Sequence, residues 1–226
     1  MKLQSISLAT VLLAAALASC KNGNNKTAEG QAGSFCKDSA CMTEPLRFGS
    51  PTPDKPFVTV SFKDCKIDTI HWEKGKKEGA TDIIFKDFIP NDVRPSKSYF
   101  SCDVVGDQYA WLKFNDCSTG RGYLIKLPFD KKVATSKYTS AINNFDPKFK
   151  VADGLVSYFD NTFIYVEDIN TGKVAQTLLT DTGIKGVDYD DIHSFIDTVN
   201  ITRSTIYAKL HYDGKEIVHN DPLTFK

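Results

Sequence analysis

Several signatures that would assign a reaction are missing from this 226-residue chain. There is no glycine-rich phosphate loop and no Gly-x-Ser-x-Gly nucleophile elbow, so neither nucleotide cradling nor serine-hydrolase chemistry is indicated. His-Glu-x-x-His and Cys-x-x-Cys are also absent, which removes the common zinc-protease and thiol-redox readings. Charge of one sign is not in excess: 28 Lys plus Arg balance 28 Asp plus Glu, and no basic block stands out, so nucleic acid is not an indicated partner. No segment carries a long apolar repeat at 3.6-residue spacing, which argues against a helical domain. No cofactor is called for by any motif.

What the chain does have begins at its N-terminus. Lys2 supplies a positive start, Ile6 to Leu17 form a short Leu- and Ala-rich run, and small residues close it, which is the layout of a secretory signal peptide. The run is shorter than the about 20 apolar residues a membrane span needs. Its ending, Leu17-Ala18-Ser19-Cys20, resembles the lipobox of bacterial lipoproteins, in which the signal is cut before the Cys and that Cys is acylated. The resemblance covers the first 20 residues only. It implies a signal peptide at 1–19, lipidation of Cys20, and attachment to a lipid membrane through several acyl chains, each buried CH2 contributing about 0.8 kcal/mol. In that family an Asp after the lipidated Cys is associated with inner-membrane retention. Lys21 stands there instead, so the resemblance implies the outer membrane, with the periplasmic and exterior faces both open.

Residues 20–35 read as the lipidated Cys and a tether, because Lys21 to Gly33 contain no apolar side chain larger than Ala. A peripheral segment, 36–54, and one β-rich domain, 55–226, are expected to follow. Beyond Cys20 stand Cys36, Cys41, Cys65, Cys102 and Cys117, an odd number that cannot all pair within the chain. Cys36 and Cys41 are close enough to close a small loop and are the expected disulfide; the pairing of the other three is left open.

Strand patterns dominate the rest. Val58, Val60 and Phe62 alternate onto one face, and similar runs recur at 67–73, 81–88, 99–105, 109–115, 123–127, 155–159, 163–168, 173–179, 194–201, 205–212 and 216–219. Gly106, Gly172 and Gly214 sit in the intervening turns. The stretch from Ala134 to Lys150 shows no clear pattern. A faint repeat places Val60-Ser61-Phe62-Lys63-Asp64-Cys65 beside Leu112-Lys113-Phe114-Asn115-Asp116-Cys117, with related starts near 57, 109, 162 and 205. The fold class is therefore all-β, an antiparallel sandwich or partly closed barrel, with a small propeller as the alternative. The expected core is Val58, Val60, Phe62, Ile84, Trp111, Phe114, Ile125, Phe163, Tyr165, Ile206 and Leu210.

Chemistry-bearing residues are few. His71, His193, His211 and His219 lack a hydrolase spacing and read as structural or solvated. Asp188, Asp190, Asp191 and His193 form the densest group of oxygen and nitrogen donors, without a full calcium-loop pattern. Trp72, Tyr109, Trp111 and Tyr123 are interface-type aromatics that strand alternation explains as core. No catalytic, cofactor or metal residue is assigned. The expected function is a non-enzymatic binding or structural role in the bacterial envelope, with an envelope protein or glycan as partner; an envelope hydrolase acting on glycan or peptide is the alternative.

Overall fold

A computed structural model describes residues 35–37, 41–52, 54–160, 163–179, 193, 195–212 and 214–226. Cys20 and its flanks lie outside this set, as do Asp188, Asp190 and Asp191. All described residues belong to one compact unit, Ser34–Lys226.

Alternating apolar residues build the first sheet from β1 (Leu46–Gly49), β2 (Phe57–Lys63), β3 (Lys66–Glu73) and β4 (Thr81–Ile84), in that order and all antiparallel. A helical turn, α1 (Phe85–Phe88), follows β4. The second sheet holds seven strands: β5 (Phe100–Val105), β6 (Tyr109–Asn115), β7 (Gly122–Pro128), β8 (Ser136–Ile142), β10 (Leu155–Asp160), β11 (Phe163–Asp168) and β12 (Val174–Leu178). In the third, β13 (Ile196–Ile201), β14 (Thr205–Tyr212) and β15 (Lys215–Pro222) form a meander, and β9 (Phe149–Val151) adds in parallel to β13. The fold is all-β, its sheets packed face to face as sandwich layers and not closed into a barrel.

Period-2 alternation decides what each strand contributes. Ala110, Leu112 and Phe114 of β6 join Ile125 and Leu127 of β7 against Val58, Val60, Ile70 and Trp72 of the first sheet. Trp111, between them in sequence, points to the opposite face and packs with Leu124, Val156 and Tyr158. With both faces buried, β6 reads as a nearly continuous apolar run. A third cluster joins Phe159, Ile164, Val166 and Ala175 to Val199, Ile201, Ile206, Ala208 and Leu210 of the third sheet.

The middle cluster exists because the seven-stranded sheet curls over its own face. Tyr109 on β6 donates its hydroxyl to the carbonyl of Ile169, just past β11, at 2.9 Å. Four strand steps separate β6 from β11, a span of about 19 Å in a flat sheet, well beyond the reach of one tyrosine. Lys126 on β7 likewise meets Glu167 on β11 at 2.6 Å. The bend lies where β8 meets β10, which share only the pairs Ile142↔Ser157 and Ala141↔Tyr158. The apolar clusters join β1–β4 to β5–β7, β6–β8 to β10, and β8 and β10–β12 to the third sheet.

The faint sequence repeat marks this plan. Its starts fall on β2, β6, β11 and β14, each the second strand of its own meander. Among the described residues no apolar cluster joins the first sheet to the third. Core expectations hold for Val58, Val60, Trp111, Phe114, Ile125, Ile206 and Leu210, all buried, while Phe62, Phe163 and Tyr165 are half-buried. Ile84 is 52% exposed, a correction: Ile83 faces Ile70 across β3 and β4, so its neighbour turns outward. The 36–54 segment supplies β1 as a paired strand, and the patternless 134–150 stretch supplies β8 and β9. In β8 the run Ser136 to Ser140 is mostly polar, and its strand state comes from pairing with β7.

Candidate functional site

Three connections converge at one end of the first sheet and β5–β6: the β1–β2 loop, the β3–β4 turn and the β5–β6 turn. Together they enclose an open groove of about 650 Å³, lined by Ser50, Asp54, Lys55, Lys74, Lys76, Glu78, Val104 and Asp107, with the adjoining glycines and Pro56. Gly75, at φ 119°, makes the convergence possible, since a Cβ there would stand 2.4 Å from the carbonyl carbon of Asp54. Gly75 and Glu78 bridge across the tip, and Lys76 and Lys77 between them hold φ of 51° and 63°. Positive φ at both central residues is what a type I′ turn demands, and for a side chain such as Lys it costs about 1–2 kcal/mol per residue.

Charge in the groove is mixed and largely unspent. Lys76 pairs with Asp54 at 3.6 Å. Lys55, Lys74, Glu78 and Asp107 make no ion pair and no side-chain hydrogen bond with other described residues. Ammonium donors and carboxylate acceptors therefore stand side by side, ready for a ligand that offers both kinds of partner. No histidine lines the groove. Its signal in the sequence was the Lys-Gly-Lys-Lys stretch at 74–77, legible as a polar connection but not as one wall of a groove whose other walls lie far off in the chain.

The cysteines close the other end of the same layers. Cys36 bonds Cys117 and Cys41 bonds Cys65, with Cα separations of 4.9 and 4.6 Å. The expected Cys36–Cys41 loop is thus corrected. Phe35 donates its N–H to the Cys117 carbonyl at 2.9 Å, and its ring packs on Tyr99, seating Cys36 beside the β6–β7 turn. Cys65 occupies a left-handed position in the β2–β3 turn and takes Cys41. Two half-cystines five positions apart therefore fasten two different sheets. The odd cysteine is Cys102 on β5; burial, helped by the neighbouring Asp103 charge, pushes its thiol up to about 12, where it is a poor nucleophile at neutral pH.

Beside the Cys36–Cys117 bridge, Asp116 accepts from the Arg94 N–H at 2.8 Å, from the Thr119 N–H at 2.9 Å and hydroxyl at 2.7 Å, and from the Ser118 hydroxyl. Burial alone would raise its pKa, but these donors outweigh it and hold the carboxyl below the usual carboxylate range. They fix the turn that carries Cys117.

Each histidine pairs with a carboxylate, in four separate places: His71 with Asp82 at 2.8 Å and Glu73 at 3.4 Å, His193 with Asp146 at 2.9 Å, His211 with Asp197 at 3.2 Å and His219 with Asp221 at 3.9 Å. His193 is the described member of the Asp188 group. No cluster of three or more His, Cys, Asp or Glu among the described residues is arranged to hold a metal ion. Trp72, Trp111 and Tyr123 are buried in the core, and Tyr109 is half-buried with its hydroxyl engaged.

The chain has no significant match to any protein-family model, curated protein or solved structure.

Proposed function

We propose that this protein is a lipid-anchored bacterial envelope protein with a non-enzymatic binding role, held to the membrane through acylated Cys20 and taking its ligand in the groove between the β1–β2, β3–β4 and β5–β6 connections. The observation that carries the reading is the Leu17-Ala18-Ser19-Cys20 ending of the apolar N-terminal run. Two disulfides support it, because such bonds persist in oxidising compartments outside the cytoplasm. Lys21 favours the outer membrane. Unspent charges of both signs in the groove suit a polar partner rich in donors and acceptors, an envelope glycan or the polar surface of an envelope protein.

Metabolic labelling with a fatty-acid analogue tests the anchor. Wild type takes up the label and fractionates with membranes, whereas Cys20→Ala does neither; an unlabelled wild type, or a labelled Cys20→Ala, refutes the anchoring. Binding is tested by co-sedimentation with envelope glycan and with solubilised envelope proteins. A Lys74→Glu/Lys76→Glu variant should keep its melting temperature and lose about tenfold in affinity, and no saturable binding to either fraction by wild type refutes the groove as a binding site.

A further inference from the structure

The bend of the central sheet leaves a second space, apart from the groove. After its two residue pairs with β10, β8 ends and the chain turns away at Asn143. A cavity of about 160 Å³ lies at this point. Leu124, Ile142, Phe145, Val151, Leu155 and Val156 give it apolar walls, and Ser101, Lys113, Asn143, Asn144 and Ser157 give it polar lining.

Hydrogen bonds hold the walls in place before any ligand arrives. Asn144 clamps the backbone of Val151 on both sides of its Cα, donating to the Val151 carbonyl at 2.9 Å and accepting from the Val151 N–H at 2.6 Å. Asn143 donates to the Asn115 side chain at 2.7 Å and accepts from the Phe145 N–H at 3.1 Å. These amides are occupied by the protein itself. The rim is not: Lys113 spends one of its three donors on Asp103, at 2.7 Å, and the Ser101 hydroxyl has no hydrogen-bond partner among the described residues.

We propose that this cavity is a binding site for a small apolar monocarboxylate, of the size of benzoate. Volume sets the size: a cavity of about 150 Å³ accepts a benzene ring, and the polar part of this lining calls for a ligand with a polar head group. The rim sets the head group: the Lys113 ammonium and the Ser101 hydroxyl both donate, so they select an anionic acceptor over a neutral or cationic group. Asp103, which does not line the cavity, accepts one of the Lys113 donors and leaves two for a single carboxylate head group. Unlike the groove, this site needs no anchor and no macromolecule.

Calorimetric titration of the full-length protein with benzoate reads the site. At ordinary ligand efficiency, about nine non-hydrogen atoms give a Kd of about 0.05–1 mM. Lys113→Met keeps the apolar stem and removes the charge, so it should weaken benzoate about tenfold while leaving uptake of xenon, followed by its NMR shift, unchanged. Benzyl alcohol should bind wild type about tenfold more weakly than benzoate. Ala141→Leu fills the cavity and should abolish both benzoate and xenon binding in a protein that still melts cooperatively; if that variant does not fold, Lys113→Met and benzyl alcohol decide. Absence of saturable benzoate binding, equal affinity in Lys113→Met and wild type, or full affinity in a folded Ala141→Leu protein overturns the proposal.

Discussion

Cutting the Cys36–Cys117 bond should be among the most damaging changes that leave every apolar core residue in place. The bond closes a loop with a sequence separation of 81, and the loss of unfolded-chain entropy on closing it corresponds to about 4.5 kcal/mol at 25 °C. For Cys41–Cys65, with a separation of 24, the same relation gives about 3.4 kcal/mol. A Cys36–Cys41 bond would close only about five residues and contribute about 2 kcal/mol. The shorter bridge lies within the longer loop, so the two contributions overlap and the quadruple variant should lose less than their total. Paired Ser substitutions avoid leaving a lone thiol to mispair. Urea unfolding of Cys36→Ser/Cys117→Ser should show the larger loss and a melting temperature lower by about 10 °C, with Cys41→Ser/Cys65→Ser intermediate between it and wild type. Peptide mapping without reduction provides the independent check. Recovery of a peptide joining Cys36 to Cys41, or a Cys36→Ser/Cys117→Ser protein as stable as wild type, refutes the reasoning.

Lys126→Met should cost about 3 kcal/mol, because it strands Glu167, whose side chain is 6% exposed, without its cation; Glu167→Gln in that background should restore part of the loss in denaturant melts. Trp72 donates its indole N–H to the Pro128 carbonyl at 2.7 Å across the first two layers, so Trp72→Phe should lower unfolding free energy by about 2 kcal/mol, measured in urea, although the replacement is also apolar. Hydrogen bonds hold the buried Asp116 and Asp146 carboxyls below their usual range against the desolvation that would raise them, and the Arg203 bond does the same for Asp168. Depressed folded-state values mean that this stability is fully present above the unfolded carboxyl pKa of about 4 and is lost as pH falls through the folded values. Urea midpoints should therefore drop on acidification below about pH 4, and Asp146→Asn should flatten that drop.

Local patterning carried most of the strand assignment. Period-2 alternation in Phe57–Lys63 and Thr205–Tyr212, with turn residues at Gly106 and Gly214, is a property of neighbours in the chain, and those segments are strands. It failed at Ile83-Ile84, where two adjacent apolar residues fit either phase, and at Ser136–Ile142, where a mostly polar strand has no phase of its own. The repeat near 57, 109, 162 and 205 was visible because four meanders reuse one strand position. How those meanders pack on one another is not a local property. Long-range contacts, Tyr109 to Ile169 and Lys126 to Glu167, accompany the curl that folds the central sheet onto itself.

The candidate sites divide in the same way. By itself, the sequence determined an all-β chain with an N-terminal motif like that of a lipoprotein, because composition and alternation are written along the backbone and read without partners. Cysteine pairing was out of its reach, since proximity in sequence favours Cys36 with Cys41 while the fold places each beside a different sheet. The groove required Gly75 to let the Asp54 loop pack against a turn about twenty residues away. The monocarboxylate cavity required β8 to part from β10 after two residue pairs. Only the tertiary structure decided these, because a space is bounded by residues from several strands at once, and no single stretch of chain encodes the distance between them.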